Sequence, residues 1–388
     1  MKPNSRILLP GLLTLLLTFA GAVSASLGDL YAAEVPVASD SPEERNTALG
    51  QAMQEVLVRL SGRADVAGRR AAASVIERAP SLVQQFRYRV DEGLLGTAGS
   101  EPAPPQRYLW AKFDKLAVDR LLRDSDIPVW GARRPRVLLW LAVEQGSGRS
   151  LLNAENDLGT RRILLNSAYQ RGMPLQLPLM DLQDQAALSA ADLWAGYEAA
   201  LRQASARYPH DVILSGRLRA AGKDRWSAEW TLWGRDDQDS FATSGLSWAA
   251  SLAAGIGGAQ DRLATRYAPA AGGDGPDRVR VLFTGVDSLP AYGRLLEILK
   301  GREAITRINL RETQGDTLRM DIWVRGGRNA LARMLSLGGE FFLQPDSVPG
   351  VTPPDAAETQ GGVEPPPAEP VDMTFSFLPS LAGVDEAR

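Results

Sequence analysis

The chain has 388 residues, of which 44% are hydrophobic and 23% charged, as is typical of folded soluble proteins. Its formal net charge is −3, and the acids concentrate in residues 345–388. The rest of the chain is nearly neutral and has no basic stripe of the kind that nucleic-acid binding requires. The chain has no cysteine, so disulfides, thiolate nucleophiles and zinc–thiolate sites are excluded, and it has a single histidine, His210. We therefore expect no cofactor and no nucleic-acid partner.

Residues 1–25 have the pattern of a cleavable secretory signal peptide. Lys2 and Arg6 precede a leucine-rich apolar stretch, and small-residue cleavage patterns end at Ala25 and at Ala32. This predicts a periplasmic protein with no transmembrane segment after signal cleavage, since no later apolar run is long enough to span a bilayer. The alternative is an uncleaved leader that anchors the protein to the inner membrane.

Residues 31–125 are predicted to form an N-terminal α/β domain. Its first helix is strongly signalled: Ser41 suits the N-cap, Pro42 the first helical position, Glu44 the capping box, and Gly62 the end. Two strands are predicted later in this block, at residues 84–91 and 108–113. The intervening segment is rich in proline and reads as a long loop.

Residues 136–267 are predicted to form a middle α/β domain. The continuous apolar run at residues 137–143 is typical of a central strand covered on both faces. Ser189 is expected to begin one amphipathic helix that continues to about residue 208. Residues 226–233 alternate as a strand, and this alternation places Trp233 on the polar, exposed side.

Residues 278–344 follow a Gly- and Pro-rich linker and are predicted to form a compact βαββα module. Taken together, the patterns predict a multi-domain α/β (α+β) protein with small mixed sheets flanked by helices.

The last segment, residues 345–388, is acidic and proline-rich and is expected to be a disordered tail. Phe375 and Phe377 lie at strand spacing within it. We expect them to act as a docking motif that adds a strand to an exposed sheet edge, either of another protein or of this protein's own third module. The alternative is a frayed terminus. On either interpretation, deletion of residues 371–388 should leave thermal stability unchanged.

Four sequence stretches carry a family resemblance. They are "VPVASDSPEERNTALGQAMQEVLVRLSGR" (residues 35–63), "VQQFRYRV" (83–90), "DVILSGRL" (211–218) and "WSAEWTLW" (226–233). They resemble DUF2066, an uncharacterised family of exported proteobacterial proteins, and this resemblance implies no particular activity. The element order of the middle block is similar to small envelope domains, such as the N-terminal domain of TolB and LpoB. Such domains bind other envelope components, an implication that rests on fold analogy.

Arginines in the first block form the main candidate binding surface. The residues selected are Arg59, Arg63, Arg69 and Arg70. Such a cluster could bind anionic headgroups, a glycan or an acidic protein face, whereas the simpler interpretation is an ordinary solvated helix face.

Other candidates favour structural roles. Asp181 and Asp184 follow a strand and could bind a metal or act in acid–base catalysis, but a helix cap explains them better. His210, at a helix–strand junction, is expected to be structural. The Gly146-Ser147-Gly148 loop lacks the lysine and the spacing of a P-loop. No residue is therefore assigned as catalytic, cofactor-binding or metal-binding.

The sequence thus predicts a non-catalytic periplasmic protein that binds or assembles components of the cell envelope. Its partner would be an envelope protein or a glycan. The alternative is a periplasmic hydrolase that acts on glycan-like substrates with two carboxylates. Converging carboxylates of raised pKa would favour the hydrolase, whereas free sheet edges or apolar patches would favour the binding protein.

Overall fold

A computed structural model describes most of the chain after the leader. The described ranges are residues 29–91, 105–131, 133–146, 148–153, 157–223, 225–235, 237–268, 275–302, 304–344 and 371–378. They form a multi-domain α/β protein with three small sheets, so the predicted fold class is confirmed. The predicted signal peptide and most of the predicted tail lie outside these ranges. Within them, no helix combines the length and the apolar character needed to cross a membrane.

The N-terminal domain packs one long helix against an antiparallel sheet. Its elements are β1 (Ala32–Val37), α1 (Pro42–Ser61), α2 (Arg70–Glu77), α3 (Ala79–Leu82), β2 (Val83–Asp91), β3 (Gln106–Phe113) and α4 (Lys115–Asp124). The strand order is β1-β3-β2, so β3 is central. The core lies between α1 and one face of the sheet, where Met53, Leu57, Leu109 and Phe113 are fully buried.

The predicted caps set both ends of α1. The Ser41 hydroxyl accepts a hydrogen bond from the Glu44 amide at 3.2 Å, and Pro42 opens the first turn. Gly62 ends the helix with φ 74°, in the left-handed region that glycine tolerates. The Glu44 side chain differs from the prediction, because it accepts from the Ala38 amide at 3.2 Å instead of closing a capping box.

The middle domain is a mixed sheet covered by helices on both faces. Its elements are β4 (Val137–Gln145), β5 (Gly148–Leu151), α5 (Leu158–Arg171), β6 (Leu175–Gln176), α6 (Leu182–Ala187), α7 (Ala190–Ala195), α8 (Glu198–Ser205), β7 (Val212–Ala220), β8 (Trp226–Trp233), β9 (Gln238–Gly245) and α9 (Trp248–Tyr267). The order is β5-β4-β7-β8-β9, with β6 beside the start of β4. Strand β4 is buried on both faces, as its continuous apolar run predicts.

Two predictions for the middle domain are wrong. Trp233 is buried rather than exposed, because helices cover the second face of the sheet, and its indole N–H donates to Ser215 Oγ at 2.8 Å. The single helix predicted from Ser189 is interrupted instead: α7 ends where Gly196 adopts φ 74°, and α8 begins two residues later. The amphipathic pattern continues across the break, which is why periodicity alone did not reveal it.

The C-terminal domain contains the predicted βαββα module with two further strands. Its elements are β10 (Asp277–Thr284), α10 (Leu289–Lys300), β11 (Ile305–Gln314), β12 (Thr317–Val324), α11 (Gly327–Leu335), β13 (Phe341–Leu343) and β14 (Met373–Phe377). The sheet order is β11-β12-β10-β14-β13, and β14 runs parallel to β10.

Strand β14 differs from the expected disordered tail. Phe375 and Phe377, the predicted docking motif, are 0% and 1% exposed and belong to the core of the C-terminal domain. The Phe375 ring lies 6.0 Å from that of Phe283 and 6.3 Å from that of Phe341. The sheet edge that receives this segment is therefore in the protein's own third module.

Candidate functional site

The N-terminal sheet has a free edge at β2. Within the described residues β2 pairs only with β3, and residues 85–91 match residues 106–112 one to one. Seven residues of β2 are exposed. Because alternate N–H and C=O groups of an edge strand point away from its neighbour, β2 presents a regular row of hydrogen-bonding groups.

Four of the other five edge strands of the described sheets are short or interrupted, whereas β9 is a regular edge of eight residues. Strand β1 contains Pro36, which has no N–H, and β11 carries two register shifts that disrupt its edge. Strands β5 and β13 are only four and three residues long. In the described part of the molecule, β2 and β9 are therefore the long edges with neither a proline nor two register shifts, and β2 is regular after one register shift between Val83 and Gln85. Of these two strands, β2 exposes large apolar side chains, namely Phe86 and Val90.

The core-facing side of β2 carries exposed apolar side chains. Phe86 and Tyr88 lie opposite the buried residues Ala111 and Leu109, so they share the face that packs on α1. Phe86 is nevertheless 47% exposed and Val90 is 52% exposed. The Arg45 guanidinium of α1 lies 5.5 Å from the centre of the Phe86 ring, and an additional strand at this edge would cover surface of both side chains that is still exposed.

The outer face of β2 pairs arginines with aromatic rings. The Arg87 guanidinium lies 4.5 Å from the centre of the Trp110 ring, and the Arg89 guanidinium lies 4.9 Å from that of Tyr108. Arg89 also donates to both carboxylate oxygens of Glu34, at 2.9 and 3.1 Å, and these hydrogen bonds raise its pKa. Arg87 makes no ion pair within the described residues, so its charge is available at the edge.

The predicted arginine surface is only partly formed. Arg63 and Arg69 both bind the Asp65 carboxylate, at 3.2 and 2.7 Å. The hydrogen bond from Arg69, followed by that from Arg63, lowers the pKa of Asp65 to about 2. Arg70 is exposed on the first turn of α2. With Arg59, which lies 3.8 Å from the Glu55 carboxylate, three of these four arginines are paired with a carboxylate of their own chain.

Arg59 does not belong to any exposed surface, because it is fully buried at the junction of the N-terminal and middle domains. It donates to the carbonyls of Ala32 and Tyr169, and its guanidinium lies against the Tyr169 ring. Burial lowers the pKa of Arg59 and raises that of Glu55 beside it. Sequence could not distinguish it from its neighbours, since the surface that covers it belongs to another domain.

Asp181 and Asp184 are placed at the start of α6. Asp181 caps the helix by accepting from the Asp184 amide at 3.0 Å, as expected. Asp184 is fully buried and accepts hydrogen bonds from the Met180 amide and the Tyr208 hydroxyl. Burial, and then the hydrogen bond to Asp184, raise the pKa of Tyr208 to about 12. Arg207 also binds both carboxylates, so this cluster is an internal polar network.

The two remaining candidates are His210 and the loop at residues 146–148. The His210 imidazole Nδ1 lies 2.8 Å from the Tyr208 carbonyl oxygen. Gly146 has φ 62° at the turn between β4 and β5, and residue 147 lies outside the described ranges.

Among the described carboxyl groups, one has a raised pKa, whereas the hydrolase alternative needs a pair. Of the described carboxyl groups with a shifted pKa, Glu55 is raised by burial and its charged neighbour is Arg59. The remainder are lowered, namely Asp29, Asp65, Asp157, Asp181, Asp192 and Asp321. Nor do three or more potential metal ligands converge anywhere in the described ranges. The described carboxyl group whose pKa is raised thus has an arginine as its charged neighbour, and not a second carboxylate.

A concave surface lies over the middle sheet. It has a volume of about 560 Å³ and includes Trp226 and Trp248, whose rings meet edge to face at 4.8 Å. The Trp248 indole N–H donates to Thr160 Oγ1 at 2.9 Å, and Thr160 is held by Asp157. Aromatic walls beside hydrogen-bonding groups suit a small polar ligand.

Comparison with known proteins adds one match. Residues 24–131 match a family model described as a domain of unknown function (DUF8605). No curated protein and no solved structure matches the chain. The match includes the whole N-terminal domain and the β2 edge. It assigns no activity to them.

The match also corrects the resemblance drawn from the sequence. The family found is DUF8605 and not DUF2066, and the likeness of the middle domain to TolB and LpoB has no structural match to support it. Three of the four stretches that suggested DUF2066 supply the buried faces of α1, β7 and β8, and the fourth forms the largely exposed strand β2. Such apolar spacing is required of any helix or strand that packs in this way, so it does not discriminate between families.

Proposed function

We propose that this protein is a non-catalytic binding or assembly protein that accepts an extended segment of a partner protein at the free edge of β2. The observation that carries the proposal is the exposure of Phe86 and Val90 on an edge strand whose outer side has no partner strand among the described residues. In strand addition, main-chain hydrogen bonds supply affinity and alternate side chains supply specificity. The leader pattern supports an envelope location for the complex.

The chemistry of the edge describes the partner. Its side chains on the core-facing side would be apolar and would cover Phe86 and Val90. Those on the outer side would include an acid that pairs with Arg87, which has no carboxylate partner among the described residues. A protein segment fits this surface better than a glycan, because a glycan cannot continue the backbone hydrogen-bond ladder.

A second copy of β2 is a poor occupant in the register that places Tyr88 opposite Tyr88. If two β2 strands paired antiparallel with Tyr88 opposite Tyr88, Arg87 of each strand would face Arg89 of the other. Like charges directly opposite one another destabilise a strand pair. We therefore favour an acidic, apolar segment of a different protein.

Site-specific photocrosslinking in cells tests this proposal. A photoreactive residue at Gln85 should give a discrete adduct, whereas one at Leu310, which is 41% exposed on the edge strand β11, should not give the same adduct. Val90→Lys and Arg87→Glu should each reduce the Gln85 adduct at least about tenfold, which corresponds to about 1.4 kcal/mol of binding free energy.

Leu310→Lys is the matched control, since it places a lysine on another exposed edge, and it should leave the adduct unchanged. An adduct that persists at full yield in both β2 variants would show that the partner does not bind this edge. Circular dichroism of each variant checks that the fold is retained.

A further inference from the structure

A large cleft separates the middle and C-terminal domains. Its volume is about 840 Å³, within the range of about 300–1,000 Å³ that is usual for small-molecule sites. The walls come from the β8–β9 turn and the end of α9 on one side, and from α11 and β13 on the other. Trp233, Tyr267 and Phe342 contribute aromatic surface.

The lining is rich in arginine. It contains five arginines and two aspartates, and the arginines are Arg136, Arg202, Arg235, Arg266 and Arg333. The two aspartates are occupied, because Asp211 binds Arg136 at 3.1 Å and Asp237 binds Arg266 at 2.8 Å.

Three of these arginines are used within the middle domain. Arg136 and Arg266 bind the two aspartates. Arg202 binds Glu198 at 2.7 Å and donates to the Gly234 carbonyl at 2.8 Å. Arg235 and Arg333 remain. Both are exposed, and neither forms an ion pair with a described residue.

Arg235 and Arg333 approach the cleft from opposite domains. The Arg235 guanidinium, from the middle domain, lies 5.5 Å from the centre of the Phe342 ring in the C-terminal domain. Arg333, from α11, donates through Nε to the Arg266 carbonyl at 2.6 Å. Each side chain thus already crosses the domain boundary and keeps further guanidinium N–H groups for a ligand.

We propose that this cleft binds a small polyanion, with at least two phosphate or carboxylate groups, that bridges Arg235 and Arg333. Guanidinium groups present paired N–H donors that match both kinds of oxyanion. The aromatic walls lower the local dielectric constant and so strengthen the attraction. This site is independent of the β2 edge.

Isothermal titration calorimetry with two probes tests the proposal on the full chain. Inorganic tripolyphosphate represents the phosphate arm and citrate represents the carboxylate arm, both in a buffer without other polyvalent anions. At least one probe should bind at a one-to-one ratio. Arg235→Gln and Arg333→Gln should each weaken that binding at least about tenfold, which equals about 1.4 kcal/mol.

Arg162→Gln is the matched control, because it removes an exposed arginine from α5, outside the cleft. It should bind the probe as the native chain does. Binding of one probe alone identifies the anion class. The proposal is wrong if neither probe binds, if either cleft variant retains native affinity, or if Arg162→Gln weakens binding equally.

Discussion

The guanidinium group of Arg59 lies 4.3 Å from the centre of the Tyr169 ring, and its Nε donates to the Tyr169 carbonyl oxygen at 3.1 Å. This contact joins α1 of the N-terminal domain to α5 of the middle domain. Arg134 reinforces the same junction by donating to the carbonyls of Arg59 and Gly172, at 2.6 and 2.8 Å. Two buried arginines therefore satisfy backbone carbonyls on both sides of a domain boundary.

Arg59→Met should destabilise the protein by about 3 kcal/mol, because it removes two buried hydrogen bonds from a charged donor, to the Ala32 and Tyr169 carbonyls. Urea unfolding measures the change. Arg70→Met, at an exposed arginine on the next helix, should alter stability by no more than about 0.5 kcal/mol. Equal effects of the two substitutions would show that the junction contributes little to stability.

The Asp65 carboxylate should titrate far below an ordinary aspartate. Hydrogen bonds from Arg69 and Arg63 lower its pKa from 3.8 to about 2. Since the folded-state pKa lies below the unfolded value, the stabilisation is present above about pH 4 and is lost as the pH falls toward 2. A carbon-13 NMR titration of the carboxyl group measures this directly.

Two variants test whether Arg69 lowers the pKa of Asp65. Arg69→Gln removes the largest contribution and should return the Asp65 pKa toward 3.8. Arg70→Gln removes an adjacent arginine that has no bond to Asp65 and should leave the pKa low. An unchanged pKa in Arg69→Gln would contradict the assignment.

Phe375→Ala should destabilise the C-terminal domain by about 3–5 kcal/mol, the usual cost of removing a fully buried phenylalanine. Deletion of residues 371–388 should likewise lower the melting temperature, because it removes a strand between β10 and β13. This reverses the expectation of unchanged stability drawn from composition. Leu378→Ala, at a residue that is 60% exposed, is the control and should have little effect.

The mature N-terminus should begin at or before Asp29. Leu30 and Tyr31 are 7% and 8% exposed and belong to the N-terminal core, and the Tyr31 hydroxyl donates to Asp119 at 2.7 Å. Cleavage after Ala32 would remove these contacts, whereas cleavage after Ala25 would keep them. N-terminal sequencing of the protein recovered from cells distinguishes the two positions, and a start at Ala33 would contradict this prediction.

Local patterns were sufficient for much of the architecture. Ser41, Pro42 and Gly62 predicted the ends of α1, because capping depends on atoms within one turn of the helix. The apolar run at β4 predicted a strand covered on both faces, and the alternation of apolar residues predicted β8. These features depend on residues that are close in sequence, so the sequence displays them directly.

Burial and edge position depend on distant parts of the chain, and there the sequence was not sufficient. Arg59 and Arg70 are both arginines in helices of the N-terminal domain. Arg59 is nevertheless buried, because Tyr169 and Ala32 pack against it. Phe375 lies in a segment with the composition of a tail, yet it pairs with Phe283 of β10, which precedes it by 92 residues in the chain. The free edge of β2 follows from strand order, in which β3 is central.

By itself, the amino-acid sequence determined the α/β class, the exclusion of cysteine chemistry and the positions of the principal helices and strands. These follow from residue type and short-range periodicity, which tertiary packing does not alter. Only the tertiary structure decided which arginines are exposed, which strands lie at the edge of a sheet and which domains share a cleft. Those properties arise when segments far apart in the chain come together, and no local pattern of residues encodes the partner that a given side chain will meet.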